Sequence, residues 1–352
     1  RDSQTDRVAA FFHTGGTTGM PKVAQHLYSG MLYNGWLGHE LLFTEKDNIM
    51  CPLPLFHVFA VHVILMSAIC SGAHVVFPTP AGYRGEGVFD NFWKLCERWK
   101  ISFIITVPTA ISALMQRPVD ADISTVKTSF SGSAPLPQEL FNRFEKATGV
   151  TIVEGYGLTE ASPVVSTGYA EECPPGSVGQ LLPTVEVRIG AGEELLLRGP
   201  MVTRGYYGDT AATEESFVDG WLRTGDRGRV DENGFLYITG RIKEAMVTTA
   251  GETIYPEEIE PCYASPLFAE WCVAPRVSAD GNDLPTLFVV PAEGVQNGSA
   301  VDKAFVELRN NAPPRLRADA VICLEQPLPR TLTGKVRRRF LAKQFNNKKA
   351  EE

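Results

Sequence analysis

Between Thr14 and Lys22 the chain reads TGGTTGMPK, with three glycines, three threonines and one lysine in nine residues. Glycine loses backbone entropy on folding and is used where a chain turns tightly or passes close to a ligand. Successive N–H groups in such a turn form an anion nest, and a neighbouring ammonium adds a mobile positive charge. A phosphate grip and an ordinary Gly/Thr surface loop both fit this composition. The pattern differs from the GxxxxGK[ST] loop: Pro21 separates Gly19 from Lys22, and Val23 stands where a magnesium-binding hydroxyl would be.

Four further segments carry candidate chemistry. SFSGSAPLP (129 to 137) and EGYGLTE (154 to 160) are small-residue turns, each directly after a predicted strand. Strand ends of a parallel sheet are where ligands bind, so both turns are expected to face one crevice. There Tyr156, flanked by Gly155 and Gly157, could stack on a flat base and Thr159 could donate to a phosphate. Glu160 could hold a Mg²⁺ ion that bridges phosphates. In GWLRTGD, Asp226 lies in a turn, where a carboxylate can grip two vicinal hydroxyls, as on a ribose. Lys335, in LPRTLTGKVRRR, sits on a Thr-Gly turn ahead of three arginines. Taken singly, each also reads as ordinary: a packed Tyr, a solvated Glu, a solvated basic run.

The elements that must position these residues follow from the hydrophobic pattern. VAAFFHT reads as a strand feeding the first loop, and QHLYSGMLYNGWLGHELL as a helix. Helices at 59–70, 88–99, 108–116 and 137–148 then alternate with the strands AHVVF, ISFIITV, VKTSFSG and VTIVEGYG. That alternation means a mostly parallel sheet covered on both faces. From about 176 the texture becomes strand-rich with sharp turns, including an Asn-Gly turn in DENGFLYIT. The predicted fold is α/β: a large mixed domain with parallel-sheet layers over 1–240, of which 175–240 is a strand-rich subdomain. A boundary at 241–243 and a small, mobile α/β C-terminal domain over 244–352 complete it.

The bulk numbers exclude several classes. With 44% hydrophobic and 21% charged residues the chain is ordinary globular protein, and its net charge of −8 argues against a nucleic-acid partner. Seven dispersed cysteines without a CxxC pair read as reduced thiols in a cytoplasmic protein. All six histidines precede position 75, and none forms HExxH. The most apolar run, FAVHVILMSAICSGAHVVF, is interrupted by His62, Ser71, Gly72 and His74, so a buried helix running into a strand is expected, not a span. No signal peptide is expected ahead of the first loop.

TGGTTGMPK, SGSAPLP, YGLTE, GWLRTGD, GRIKE and LPRTLTGK occur in the order found in the AMP-forming acyl-CoA synthetases of the adenylate-forming ligase superfamily, and the chain resembles that family from 14 to 335. The resemblance implies two steps. A carboxylic acid attacks the α-phosphate of Mg·ATP to give acyl-adenylate, and coenzyme A then displaces AMP to give a thioester. It also implies roles. Thr14, Gly16, Thr17, Thr18, Gly19 and Lys22 would handle the β- and γ-phosphates, and Gly132, Ser133 and Ala134 would form the adenine-side turn beside Tyr156 and Gly157. Thr159 would touch the α-phosphate, Glu160 would ligate Mg²⁺, and Asp226 with Arg241 would hold the ribose. Lys335 would reach the α-phosphate and carboxylate oxygens, Lys243 would be the hinge, and His57 would flank the acyl pocket, where a core histidine is the plain alternative.

The stretches PLPLFHVFAVHVILMSAIC and ISFIITVPTAI supply apolar and aromatic groups and no partner for a polar tail, so a medium- or long-chain fatty acid is expected. Loading of an acyl or aryl acid onto a carrier-protein phosphopantetheine, or a non-catalytic binding protein retaining the fold, are the alternatives. The sequence departs from the family in places. Gly15 replaces a serine of the loop, KEAMVTTAGETIYPEEIE carries one extra residue and lacks the basic residue often beside its glycine, and EVRIGAGEELLLRGP is a shortened hairpin. The family also places a substantial N-terminal region ahead of the phosphate loop.

Overall fold

The computed structural model describes residues 6–14, 21–168, 173–248, 251–278, 281–295, 298–331 and 335–347. Five strands run parallel in the spatial order His74–Val76, Asn48–Met50, Phe103–Thr106, Thr128–Ser131, Ile152–Gly157. The sheet continues antiparallel through Val164–Thr167 and Gln180–Leu181. Phe103–Thr106 is buried at every position, as a strand covered on both faces must be. The helices Phe92–Arg98, Pro108–Leu114 and Gln138–Thr148 supply crossovers. Pro108 begins its helix, Pro137 occupies the N-cap, and Gly149 closes the third helix in the left-handed conformation at φ 69°.

Two segments differ from the sequence pattern. The helix expected from Gln25 begins at Tyr28, because Val23–Leu27 is a strand paired antiparallel with Val8–His13. That strand is held from its other edge as well: Gln25 N donates to Gly205 O at 2.9 Å and Tyr207 N to Val23 O at 2.8 Å. With both edges satisfied, pairing overrides the helical periodicity of the sequence. The helix expected over 59–70 is wound wide: Phe59–Met66 is a π-helix, followed by the α-helix Ser67–Ser71.

A second, antiparallel sheet contains Glu186–Ile189, Glu194–Arg198, Trp221–Val230, Phe217–Val218 and Leu236–Arg241. The Asn-Gly turn falls where expected. Asp231 Oδ1 accepts from Asn233 N at 3.0 Å and Phe235 N at 2.9 Å, and Gly234 takes φ 82°.

Beyond Lys243 lies a three-stranded sheet, Phe268–Val277, Asp283–Pro291, Ala320–Cys323. Alternation along its strands supplies two faces. Val273, Leu287 and Val289 pack with Phe305 of the helix Gly298–Asn311, whereas Cys272, Ala274 and Phe288 pack with Leu341 of the helix Arg338–Asn347. Among the described residues no helix is long and apolar enough to cross a membrane.

Candidate active site

The two small-residue turns meet at one cleft. Gly132 and Ser133 follow the strand Thr128–Ser131, Tyr156 and Gly157 end the next strand, and Thr159 lies just beyond; all five line a cleft of about 1010 Å³, counting its open mouth. Ser133 takes φ 71°, and Ala134 follows it at the rim, half-buried. Glu154 Oε1 accepts from Leu136 N at 3.0 Å, which ties the first turn to the second strand. Burial pushes the Glu154 carboxyl up to about 7. Gly157 is required by closeness, because an added Cβ would fall 2.0 Å from Pro163 O.

Asp226 lies beside Tyr156. The buried carboxylate accepts from Arg241 Nε at 2.6 Å through Oδ1 and from Tyr156 Oη at 2.7 Å through Oδ2. The strands holding Asp226 and Arg241 pair at those two residues, so backbone register sets the ion pair. The negative charge of Asp226 holds the Arg241 guanidinium well above its usual range, and burial, followed by Asp226, holds the Tyr156 phenol protonated.

Lys335 comes from the far end of the chain and also lines the cleft. Its turn is closed by Lys335 N donating to Thr331 Oγ1 at 3.1 Å and Thr331 N donating to Lys335 O at 2.8 Å. Burial lowers its pKa, and Arg241 lowers it further, against the carboxylates of Asp226, Glu160 and Glu244. His57 shares the cleft, and burial together with the Lys335 charge pushes it down to about 4, so its ring is neutral at pH 7.

Glu160 and Lys22 meet through a residue that the sequence reading did not single out. Tyr206 Oη donates to Glu160 Oε1 at 2.7 Å, and the Lys22 ammonium lies 4.7 Å from the centroid of the same ring. Thr14 N donates to Lys22 O at 2.9 Å, closing the base of the glycine-rich loop. Gly16, Thr17, Thr18 and Gly19 lie outside the described residues. Behind the Thr159–Ala161 turn, Ser162 takes φ 51°, His62 Nδ1 donates to its carbonyl at 3.1 Å, and its hydroxyl meets His26 Nδ1 at 3.1 Å. Burial pushes these histidines down to about 3 for His26 and about 4 for His62, so both are neutral props. Only the Gly-Tyr-Tyr run at 205–207 could have signalled Tyr206, and no sequence spacing marks the histidine pair.

A model of the AMP-binding enzyme family matches residues 1–207. The chain belongs to this family. Its relatives include the marinolic acid–CoA ligase of a Pseudoalteromonas, 32% identical over 93% of this chain and 53% of the relative. The 2-succinylbenzoate–CoA ligase of Listeria innocua is 30% identical, over 97% of this chain and 71% of its own length. The chain therefore spans about half to seven-tenths of these relatives. Among solved structures, ATP-bound MatB of Rhodopseudomonas palustris matches with a TM-score of 0.87 at 27% identity, covering 99% of this chain and 70% of MatB. Apo MatB matches over the same shares at the same identity with a TM-score of only 0.74. In geometry the chain is thus nearer the ATP-bound form.

For an AMP-binding enzyme the acidic groups have a plain distribution. Among the described residues no three His, Cys, Asp or Glu side chains group to hold a metal ion. Mg²⁺ in nucleotide sites takes one or two carboxylates and fills its other positions with phosphate oxygens and water. Glu160, beside Thr159 at the cleft, fits that requirement.

Proposed function

We propose that the protein containing this chain activates a carboxylic acid with ATP and transfers the acyl group to coenzyme A. In the first step a carboxylate oxygen attacks the α-phosphorus, and the bond to pyrophosphate breaks. In the second, the thiol sulfur attacks the acyl carbon, AMP leaves, and the thiol proton goes to solvent. The observation that carries this reading is the meeting of Lys335 with Thr159, Tyr156 and His57 in one cleft, from segments up to 278 residues apart (57 to 335).

Each group then has work suited to its surroundings. Asp226, fixed by Arg241 and Tyr156, presents a carboxylate for ribose hydroxyls, with Gly132, Ser133 and Ala134 on the adenine side. Thr159 donates to the α-phosphate, and Lys22 with the glycine-rich loop holds the outer phosphates. Lys335 lies where negative charge grows on the α-phosphate and carboxylate oxygens, and a preplaced cation stabilises that charge most in a water-poor cleft. Mg²⁺, held by Glu160, would supply neutralisation of charge across the phosphate oxygens.

For the acid we infer an aliphatic chain of medium or greater length. Phe59 and Val63 of the π-helix, with Leu41, Leu42, Phe43 and Phe130, form apolar walls, and the ring of His57 is neutral. Each buried CH₂ contributes about 0.8 kcal/mol, nearly fourfold in binding. In a thioester assay on the complete protein, kcat/KM is expected to rise from acetate to medium-chain acids. Absence of acid-dependent ATP–pyrophosphate exchange with every acid in an aliphatic and aryl panel would remove the function. Preference for acetate or a hydroxylated aryl acid would remove the acyl class alone.

A further inference from the structure

We propose that Tyr206 is a positioning residue that sets Glu160 for the metal–nucleotide complex; the proposal rests on the function inferred above. The segment 203–207 lies between the turn that bears Glu160 and the strand Val23–Leu27 that Lys22 leads into. On one side Thr203 N donates to Glu160 O at 3.0 Å, and Tyr206 Oη donates to Glu160 Oε1 at 2.7 Å, so both backbone and carboxylate are held by the same short stretch. On the other side Arg204 N donates to Gln25 O at 3.1 Å and Gln25 N to Gly205 O at 2.9 Å, which joins the stretch to the strand that leaves the glycine-rich loop.

The stretch is built to be rigid. Gly205 takes φ 120°, and a Cβ there would lie 2.3 Å from Thr213 Cγ2, so no larger residue fits without movement. Tyr206 N donates to Thr213 Oγ1 at 2.9 Å, and the side chain packs with the buried Ala24 and Ala212. A ring fixed in this way holds its hydroxyl oxygen at one place beside Glu160. A flexible carboxylate that accepts from it loses rotamer freedom before any ligand arrives, which lowers the cost of binding. The ring meanwhile seats the Lys22 ammonium, so one side chain holds the acidic and the basic group of the phosphate site in register.

The test is ATP binding to the complete protein without acid, followed by calorimetry with and without Mg²⁺. Tyr206→Phe removes only the hydroxyl and keeps the seat for Lys22. The Mg²⁺ concentration giving half-maximal enhancement of binding is expected to rise about tenfold, the low end for a hydrogen bond to a charged group. Metal-free ATP binding is expected to stay at the wild-type level. Glu160→Gln should raise the same midpoint, and adding Tyr206→Phe to it should change nothing further, since the two act as one unit. A general folding defect would instead lower binding in both backgrounds. An unchanged midpoint in Tyr206→Phe, or losses that add, would overturn the proposal while leaving the function intact. If wild-type ATP binding ignores Mg²⁺ altogether, the functional reading falls, and this one with it.

Discussion

Replacing Lys335 by Ala is expected to cut acid-dependent ATP–pyrophosphate exchange by at least about a hundredfold, the scale of losing one preorganised oxyanion contact. The size of the effect comes from placement. The ammonium is half-buried and lines the cleft, where its charge is opposed by Arg241 and favoured by Asp226 and Glu160. A cation in such surroundings interacts more strongly with a developing charge than it would at the surface. The loss should be selective. Thioester formation from preformed acyl-adenylate needs no pentacoordinate phosphorus, so that rate should fall far less. Equal losses in both half-reactions would show that Lys335 holds the fold or the nucleotide and not the transition state.

Much of this site was legible in the chain itself, for a physical reason. Ligands bind at the strand ends of a parallel sheet, so the small-residue turns SGSAPLP and EGYGLTE, each directly after a strand, point together to a crevice. The partnership of Asp226 with Arg241 was legible only through the family resemblance, because their contact depends on register across a hairpin. Tyr206 was not legible. Its hydroxyl reaches a residue 46 positions away through a segment with no helical or strand periodicity of its own. The strand Val23–Leu27 shows the opposite failure. Its residues continue a helical pattern, but two edges of backbone hydrogen bonds outweigh a local preference. The π-helix Phe59–Met66 was equally hidden. It places Phe59 and Val63 on the cleft, and the α-helix that follows adds Ser67, at intervals of four, a spacing that ordinary helical periodicity also allows.

Lys243→Pro is expected to separate the two half-reactions. We propose that the chain pivots at Ile242 and Lys243, because the residues on either side are fastened to different bodies. Arg241 is bound to Asp226 at 2.6 Å, whereas Glu244 accepts from Arg338 Nη1 at 2.8 Å. Arg338 also donates to both oxygens of Glu260 at 2.9 Å, so Glu244 travels with the helix Arg338–Asn347 and with the turn bearing Lys335. Lys335 lines the cleft in this arrangement, and a turn of the small domain about this pivot would carry it away and let a thiol approach the acyl carbon. Ile242–Glu244 is one turn of 3₁₀-helix, whose φ proline can adopt, so the present arrangement should survive the substitution. A second arrangement that needs a different φ at 243 would be disfavoured by on the order of 3 kcal/mol, about a hundredfold in rate. Pyrophosphate exchange should therefore stay near wild type while thioester formation slows by roughly tenfold to a hundredfold. Both rates and the melting temperature would be measured on the same preparation. A joint fall of all three would show that proline damaged the fold, and unchanged thioester formation would place the pivot elsewhere.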